Sequence, residues 1–440
     1  MKKAITIIGL CVILIFSNAD YAQNIKVHPE WSRNATIYEV NIRQFTPEGT
    51  FAAFAKHLRE LKRLGVKIIW FMPVHPVGVL HRKGKLGSYY SVKDYKAVNP
   101  ELGTNKDFAD LVNGAHKLGM KVILDWVANH TAWDNPWIKE HPDFYTRDKN
   151  GKIISPVPDW RDVADLDYSN HLLWEKMSDA MLYWIKNFDV DGFRCDVAAM
   201  VPTEFWNYAV GRLMKVKNVF MLAEASEPEL YSAFDMTYDW KLKDIFNDIA
   251  KGEKDCSYIY NHFAEYEAET YPVDSYRMLF TSNHDENSWT GSAIERLGKY
   301  APLFAVVCET GDGMPLIYSG QEAGLKKRLR FFDKDTIAWK ISPFRNLYSK
   351  LNKLKLTNRA LRNGDGGKME FITSPDSRNL LIYKRRKDND EVITMINFSI
   401  FKKAFMLKDH SKYKDAISDK IIAERKVIIP PFGFRVLEKK

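Results

Sequence analysis

The sequence predicts an α/β protein built on a TIM-type (β/α)8 barrel, with a short excursion after the third strand and a C-terminal antiparallel β-sandwich. Three observations carry this expectation. Amphipathic helical segments closed by glycine run repeatedly into short Val/Ile/Leu-rich strands, the pattern of a parallel sheet covered by helices. About 310 residues from Trp31 to Pro343 must house at least seven such strands, which suits a closed barrel better than an open doubly wound sheet. After about Asn346 the pattern changes to short β-rich runs separated by turn residues.

The first residues, MKKAITIIGLCVILIFSNADYAQ, combine two lysines, an apolar run from Ala4 to Phe16 and a small-residue exit, as a secretory signal peptide does. The run is too short to span a bilayer. Cleavage after Ala19 or after Ala22 fits the pattern, and residues 1–22 are set aside from the fold. No later apolar run approaches the ~20 residues of a membrane helix. The expectation is therefore an exported chain, secreted or periplasmic, with no membrane span.

The strand TIYEVNI opens the barrel. From Thr50 to Gly65, Phe51, Phe54, Leu58 and Leu61 share one helical face between an N-capping threonine and a C-capping glycine, and the strand VKIIWFMP follows. The unit repeats from Thr104 to Gly119, leading into MKVILDWV. Looser copies lead into VDGFRCDV, NVFMLAEA and, after a helix near Ala301 to Val307, MPLIYS; RMLFTSN is a further strand. The strand interiors Ile68, Ile69, Val122, Ile123 and Leu124 are expected to be buried. Residues 131–167, rich in Pro, Trp, Asp and Asn, break the alternation after the third strand and read as a small excursion over the barrel mouth. The barrel with this excursion is assigned to residues 23–345. The runs KMEFITS, NLLIYKR, EVITMINFS and RKVIIPPFGFRVLE assign residues 346–440 to the sandwich.

A composition 45% hydrophobic sustains a large core, and the net charge of +9 is scattered rather than clustered with aromatics. It reads as a solvated basic surface, not a nucleic-acid interface. Cys11 leaves with the signal, and Cys195, Cys256 and Cys308 have no metal-ligand spacing, with one disulfide between two of them left open. No HExxH, nucleophile elbow or phosphate loop is present.

The chemistry is carried by acids. In DGFRCDVAAM, Arg194 and Asp196 stand in an otherwise buried strand, and Asp125, Asp196, Glu224 and Asp285 come at or after the ends of four strands. A lone strand-end acid commonly caps the next helix. Four at equivalent positions instead converge on the face where barrel enzymes hold their active sites. Two carboxylates flanking a bond, one protonated and one ionised, are what glycoside hydrolysis requires. His130 and His284 add imidazoles, while the GSYYSVKDY segment, Trp126, Trp133 and Trp137 offer sugar platforms. Arg194, two residues before Asp196 and on the same strand face, is placed to keep that carboxylate ionised.

The stretches DWVANH, GFRCDVAAM, MLAEAS and FTSNHDEN stand in the order and spacing of the four signature regions of the α-amylase family. From Trp31 to about Gly324 the chain resembles an α-amylase-type glycoside hydrolase of family 13. The resemblance implies Asp196 as nucleophile, Glu224 as the proton donor and then base, and Asp285 as the third carboxylate. It further implies that Tyr90, His130, Arg194 and His284 bind substrate or orient the acids, with Asp125 a structural acid beneath them. The implied activity is retaining hydrolysis of α-1,4-linked glucans or maltooligosaccharides, with no required cofactor. Ala199 and Met200 depart from the lysine and the calcium-linked histidine that many members carry. Asn129 and Asp165 match other calcium positions, so calcium stays open and no metal ligand is assigned. A transglycosylase or exo-acting α-glucosidase is the second reading, and a non-catalytic glycan-binding module the third.

Overall fold

The structure, a computed structural model, describes residues 27–266, 270–407 and 412–440. The expected signal peptide lies outside the described residues, and among these no helix is long and apolar enough to cross a membrane. Eight strands close a barrel: β1 (Ile37–Val40), β2 (Ile68–Phe71), β3 (Lys121–Trp126), β4 (Gly192–Cys195), β5 (Phe220–Ala223), β6 (Met236–Tyr238), β7 (Tyr276–Phe280) and β8 (Met314–Tyr318). Every neighbouring pair is parallel, and β1 closes on β8. The strand that sequence reading does not anticipate is β6. Its three residues, flanked by Asp235 and Asp239, hold no apolar run, and pairing with β5 and β7 creates it.

Strand alternation divides the apolar side chains between two cores. Ile37, Ile68, Trp70, Ile123, Leu222 and Met278 fill the barrel interior, whereas Ile69, Phe71, Val122, Leu124, Phe193 and Met221 face the surrounding helices. Ile68, Ile69, Val122, Ile123 and Leu124 are all fully buried. Ile123 sits among interior side chains from several strands, so truncation leaves a cavity that the closed ring resists filling. Ile123→Ala is expected to cost about 2–5 kcal/mol in urea denaturation. A loss below ~1 kcal/mol would mean that the interior collapses around the missing atoms.

The interior-facing register continues from Ile123 to Asp125, from Gly192 through Arg194 to Asp196, and from Phe220 through Leu222 to Glu224. The period of two thus brings charged residues onto the axis at one mouth of the barrel. Gly192 permits this by closeness, since a Cβ there would lie 1.9 Å from the Phe220 carbonyl oxygen. At the opposite mouth Asp191 is a clamp. Its carboxylate accepts the Val122 N–H at 2.9 Å and pairs with His116 at 2.7 Å and Lys121 at 3.0 Å. Burial raises its pKa, but the His116 hydrogen bond and the Lys217 charge bring it down to about 2.

The expected helix from Thr50 to Gly65 is broken into Phe51–Ala55 and Leu58–Leu64, with Thr50 capping the first and left-handed Gly65 ending the second. The helix Asn105–Lys117 carries a full capping box between Thr104 and Asp107. After β3 the excursion forms an antiparallel hairpin, His130–Ala132 against Val163–Asp165.

One boundary moves. The expected division between residues 345 and 346 falls inside the helix Pro343–Thr357, which packs on the barrel helices Leu58–Leu64 and Ala301–Thr310. Leu347, Leu351 and Leu354 at helical spacing bury that face, whereas the sequence places the segment with the sandwich only through the β-runs that follow it. The C-terminal strands are β9 (Glu370–Phe371), β10 (Leu380–Lys387), β11 (Asp390–Asn397), β12 (Lys403–Met406), β13 (Tyr413–Asp415), β14 (Ile421–Ile422), β15 (Lys426–Ile429) and β16 (Gly433–Lys439). A six-stranded antiparallel sheet, β9-β10-β11-β16-β13-β14, faces a two-stranded one, β12-β15. Leu380, Ile382 and Met395 pack against Val427 and Ile429 in the sandwich core, while Leu381, Tyr383 and Ile396 on the other face join the barrel's outer core. Fully buried Arg385 ties the two domains by donating to the Gly311 and Gly367 carbonyls and pairing with Asp312 at 3.0 Å. Cys195, Cys256 and Cys308 are buried and not joined to one another, so the disulfide left open by the sequence is not formed.

Candidate active site

Arg194, fully buried on β4, organises the mouth of the barrel. Its Nη1 donates to Asp125 Oδ1 at 2.8 Å and Asp196 Oδ1 at 3.1 Å, and its Nε donates to the Tyr238 hydroxyl at 3.1 Å. Nη2 lies 2.7 Å from Glu224 Oε1, an ion pair without hydrogen-bond alignment. One guanidinium therefore joins the two carboxylates expected to do the chemistry. Its face lies over the Trp70 ring at 5.0 Å. A buried cation is costly unless compensated, and three carboxylates compensate this one.

Asp125 accepts from the Trp70 indole N–H at 3.1 Å and the Tyr90 hydroxyl at 3.1 Å. The second cluster is centred on His284, whose Nδ1 meets Glu39 Oε1 at 2.6 Å and whose Nε2 meets Asp285 Oδ2 at 3.1 Å and the Tyr90 hydroxyl at 2.8 Å. Burial opposes a charge on His284, but the Asp285 and Glu39 carboxylates hold its pKa well above the usual histidine range. In return, although burial raises Asp285, the His284 charge keeps it ionised and below its ordinary value. His130 behaves differently. Burial lowers it to about 4, leaving it neutral, with its Nδ1 3.3 Å from the Asn129 amide nitrogen.

Asp125, Arg194, Asp196, Glu224, Tyr90, His284 and Asp285 are thus linked by direct contacts, while His130 meets Asn129 and the Trp160 ring instead. Sequence reading misses Glu39, Trp70 and Tyr238. Glu39 carries a legible signal, an acid inside the apolar strand TIYEVNI, of the same kind as Arg194. Trp70 and Tyr238 resemble ordinary core residues until the closed barrel aims their polar atoms at the acids.

Three site expectations change. Trp126 is fully buried behind β3 and cannot stack on a sugar, and Trp137 is half-buried against Tyr95 and Phe144. Asn129 and Asp165 are brought near each other, with Leu166 N–H donating to the Asn129 carbonyl at 3.1 Å. The Asn129 Nδ2 meets His130 Nδ1 at 3.3 Å, and the described residues contain no group of three or more His, Cys, Asp or Glu side chains that could hold a metal. No step is derived through a metal at these residues.

The third change concerns the proton. The sequence places Arg194 to keep Asp196 ionised, yet burial and then the Glu224 charge push the Asp196 carboxyl well above the ordinary range, against the pull of Arg194. The reason is geometric, because Glu224 takes the nearer Nη2 contact and also accepts the Val197 N–H at 2.8 Å. Val197 reaches that position with φ +37°, a left-handed conformation that costs a β-branched residue roughly 1–3 kcal/mol. Because the folded state raises the Asp196 pKa, its stabilising contribution is complete below about pH 4 and is lost as pH rises through the folded value. Asp196→Asn is therefore expected to raise the melting temperature at pH 7 and to leave it unchanged near pH 3. An equal gain at both would assign the effect to packing rather than charge.

This mouth can hold a polar, hydroxyl-rich ligand against carboxylates joined in one connected network, the groups that nucleophilic and acid–base chemistry on such a ligand requires. Residues 16–153 and 157–342 match the family model of the α-amylase catalytic domain. Alpha-amylase 3 of Dictyoglomus thermophilum is 25% identical over 506 residues, covering 97% of each chain. An α-1,4-glucan:maltose-1-phosphate maltosyltransferase of Corynebacterium pseudotuberculosis is 34% identical over 197 residues, 40% of this chain and 29% of that protein. Among solved structures, a noncanonic maltogenic α-amylase from Thermotoga neapolitana superposes with a TM-score of 0.84 at 32% identity, covering 92% of this chain and 98% of the other. An α-amylase from Lactobacillus plantarum gives 0.85 at 32%, covering 93% and 99%. The match over most of the barrel, together with the carboxylates at its mouth, makes the chain a member of the α-amylase family and a glycoside hydrolase.

Proposed function

We propose that the protein is an exported, retaining α-glucan hydrolase that cleaves α-1,4-glucosidic bonds in starch-type polysaccharides or maltooligosaccharides. The observation that carries this reading is the Arg194 guanidinium joining Asp196 and Glu224 beside the His284–Asp285 pair. Asp196 attacks the anomeric carbon while Glu224 gives its proton to the glycosidic oxygen, which leaves as the sugar hydroxyl. A glycosyl ester on Asp196 results. Glu224 then takes a proton from water, the oxygen attacks the same carbon, and Asp196 departs as carboxylate.

The first step uses Asp196 as carboxylate and Glu224 as acid, and Arg194, which pulls the Asp196 carboxyl back toward its ionised form, opposes the rise that burial and the Glu224 charge impose. A sugar oxygen presented to Glu224 competes for the carboxyl that Arg194 and the Val197 N–H otherwise hold. Asp285, kept ionised by His284, lies ready to stabilise the positive charge that develops on the sugar. Export is supported by the N-terminal lysines and the Ala4 to Phe16 apolar run, with the destination either the periplasm or the medium.

Proton NMR of maltooligosaccharide hydrolysis tests the assignment: the first-formed reducing end is expected as α-anomer, and β-anomer would refute double displacement. A transglycosylase reading is raised by Ala199 and by Met200, 45% exposed after the nucleophile strand. Products longer than the input maltoheptaose would support it over hydrolysis.

A further inference from the structure

We propose that Trp289, backed by Phe331, is the stacking platform for the sugar ring adjoining the reacting one on its non-reducing side. This rests on the roles proposed for Asp196, Glu224 and Asp285. Three features support it: a continuous run of aromatic rings, its direction, and its rigidity.

The run begins at Tyr90, whose ring lies nearly parallel to His284 with centroids 5.4 Å apart and to Phe331 with centroids 6.2 Å apart. Phe331 in turn meets Trp289 at 5.2 Å. Exposure rises along it from 8% at Tyr90 to 54% at Trp289, so the rings lead from the buried acids to solvent. Trp289 stands four residues after Asp285 in the same helical segment. It therefore presents an open apolar face close in the chain to the acid that meets the reacting sugar, a surface suited to one face of a pyranose.

Direction follows from Glu224. It protonates the leaving oxygen and so marks the side from which the leaving sugar departs. Trp289 follows Asp285 after β7, and Phe331 comes after β8 and packs on Tyr90, so the platform flanks the portion that keeps the reacting carbon.

A single exposed tryptophan is ordinary on a protein surface. This one is held by its loop: Asn287 donates to the Lys327 carbonyl at 3.1 Å and accepts from the Leu329 N–H at 2.9 Å, and Ser288 donates to the Leu329 carbonyl at 2.9 Å. The ring is thus set in place before a sugar arrives, which lowers the ordering cost of binding.

The test compares 4-nitrophenyl α-maltotrioside, which places further rings on the non-reducing side, with 4-nitrophenyl α-glucoside, which places none. In Trp289→Ala the maltotrioside-to-glucoside ratio of kcat/KM is expected to fall about ten-fold, chiefly through KM, as loss of a stacking contact produces. Trp289→Phe, which keeps an aromatic face, should retain most of that ratio. An equal loss on both in Trp289→Ala, or a ratio as low in Trp289→Phe as in Trp289→Ala, would overturn the platform. If the wild-type protein turns over neither glycoside, it is the hydrolase reading that fails. Calorimetric titration with maltotriose then decides the platform alone, with about ten-fold weaker binding to Trp289→Ala expected and equal affinity overturning it.

Discussion

Asp196→Ala is expected to abolish turnover on every substrate, including an aryl α-maltoside with an excellent leaving group, by about 10⁴-fold or more. The glycosyl ester has no other place to form. Glu224→Ala should behave differently on the same aryl substrate, because a good leaving group departs with little protonation and the first step survives. The second step still lacks its base, so the expected trace is a burst of aryl alcohol followed by slow turnover. Added azide, an anion that needs no deprotonation, should accelerate that phase and appear in the product as an α-glycosyl azide. The two substitutions therefore separate the two carboxylates by kinetics. An Asp196→Ala protein that still releases the aryl alcohol would invalidate the assignment, as would the absence of a burst in Glu224→Ala.

The second large effect lies at Arg194. Replacing it by Leu leaves Asp125, Asp196 and Glu224 facing one another with the guanidinium gone, and removal of one partner from a buried charge network costs about 3–5 kcal/mol. Activity should fall with stability, since Asp196 and Glu224 lose the group that sets their separation. Lysine is not expected to rescue either property, because its single ammonium cannot occupy the Nη1, Nη2 and Nε positions together. The deficit should depend on pH in a definite direction. Without the cation the folded state raises the Asp125 and Asp196 pKa values further, and stability lost as pH rises through them returns on acidification. Chemical denaturation at pH 5 and pH 8 should therefore find Arg194→Leu nearer the wild type at pH 5. A deficit that does not change with pH would mean that the residue acts mainly by packing.

Periodicity and charge account for what is legible in the amino-acid sequence of this chain. The helix-to-strand alternation can be read where strands are continuous apolar runs and where, as from Thr50 to Gly65 and from Thr104 to Gly119, an apolar helical stripe is opened by threonine and ended by glycine. β6 is not legible, since three residues between aspartates have no period; its strand character comes from its two neighbours in the closed ring. The helix Pro343–Thr357 escapes notice because its apolar face is defined by the barrel helices on which it packs. Of the site, Arg194 and the acids stand out because a charge in a buried strand must have a partner, and Glu39 meets the same test.

The sequence by itself determined which residues alternate inward, and hence that Asp125, Arg194, Asp196 and Glu224 would meet once the sheet closed. Only the tertiary structure decided how they meet. Asp196 and Glu224 are separated by 28 positions in the chain, and which of them takes the shorter contact with Arg194 depends on distances no local pattern encodes. The raised pKa of the Asp196 carboxyl, the raised pKa of His284 between Glu39 and Asp285, and the Tyr90 to Trp289 run of rings arise in the same way. Each depends on through-space energies that change steeply over an ångström in a buried site, whereas alternation and capping act between near neighbours in the chain.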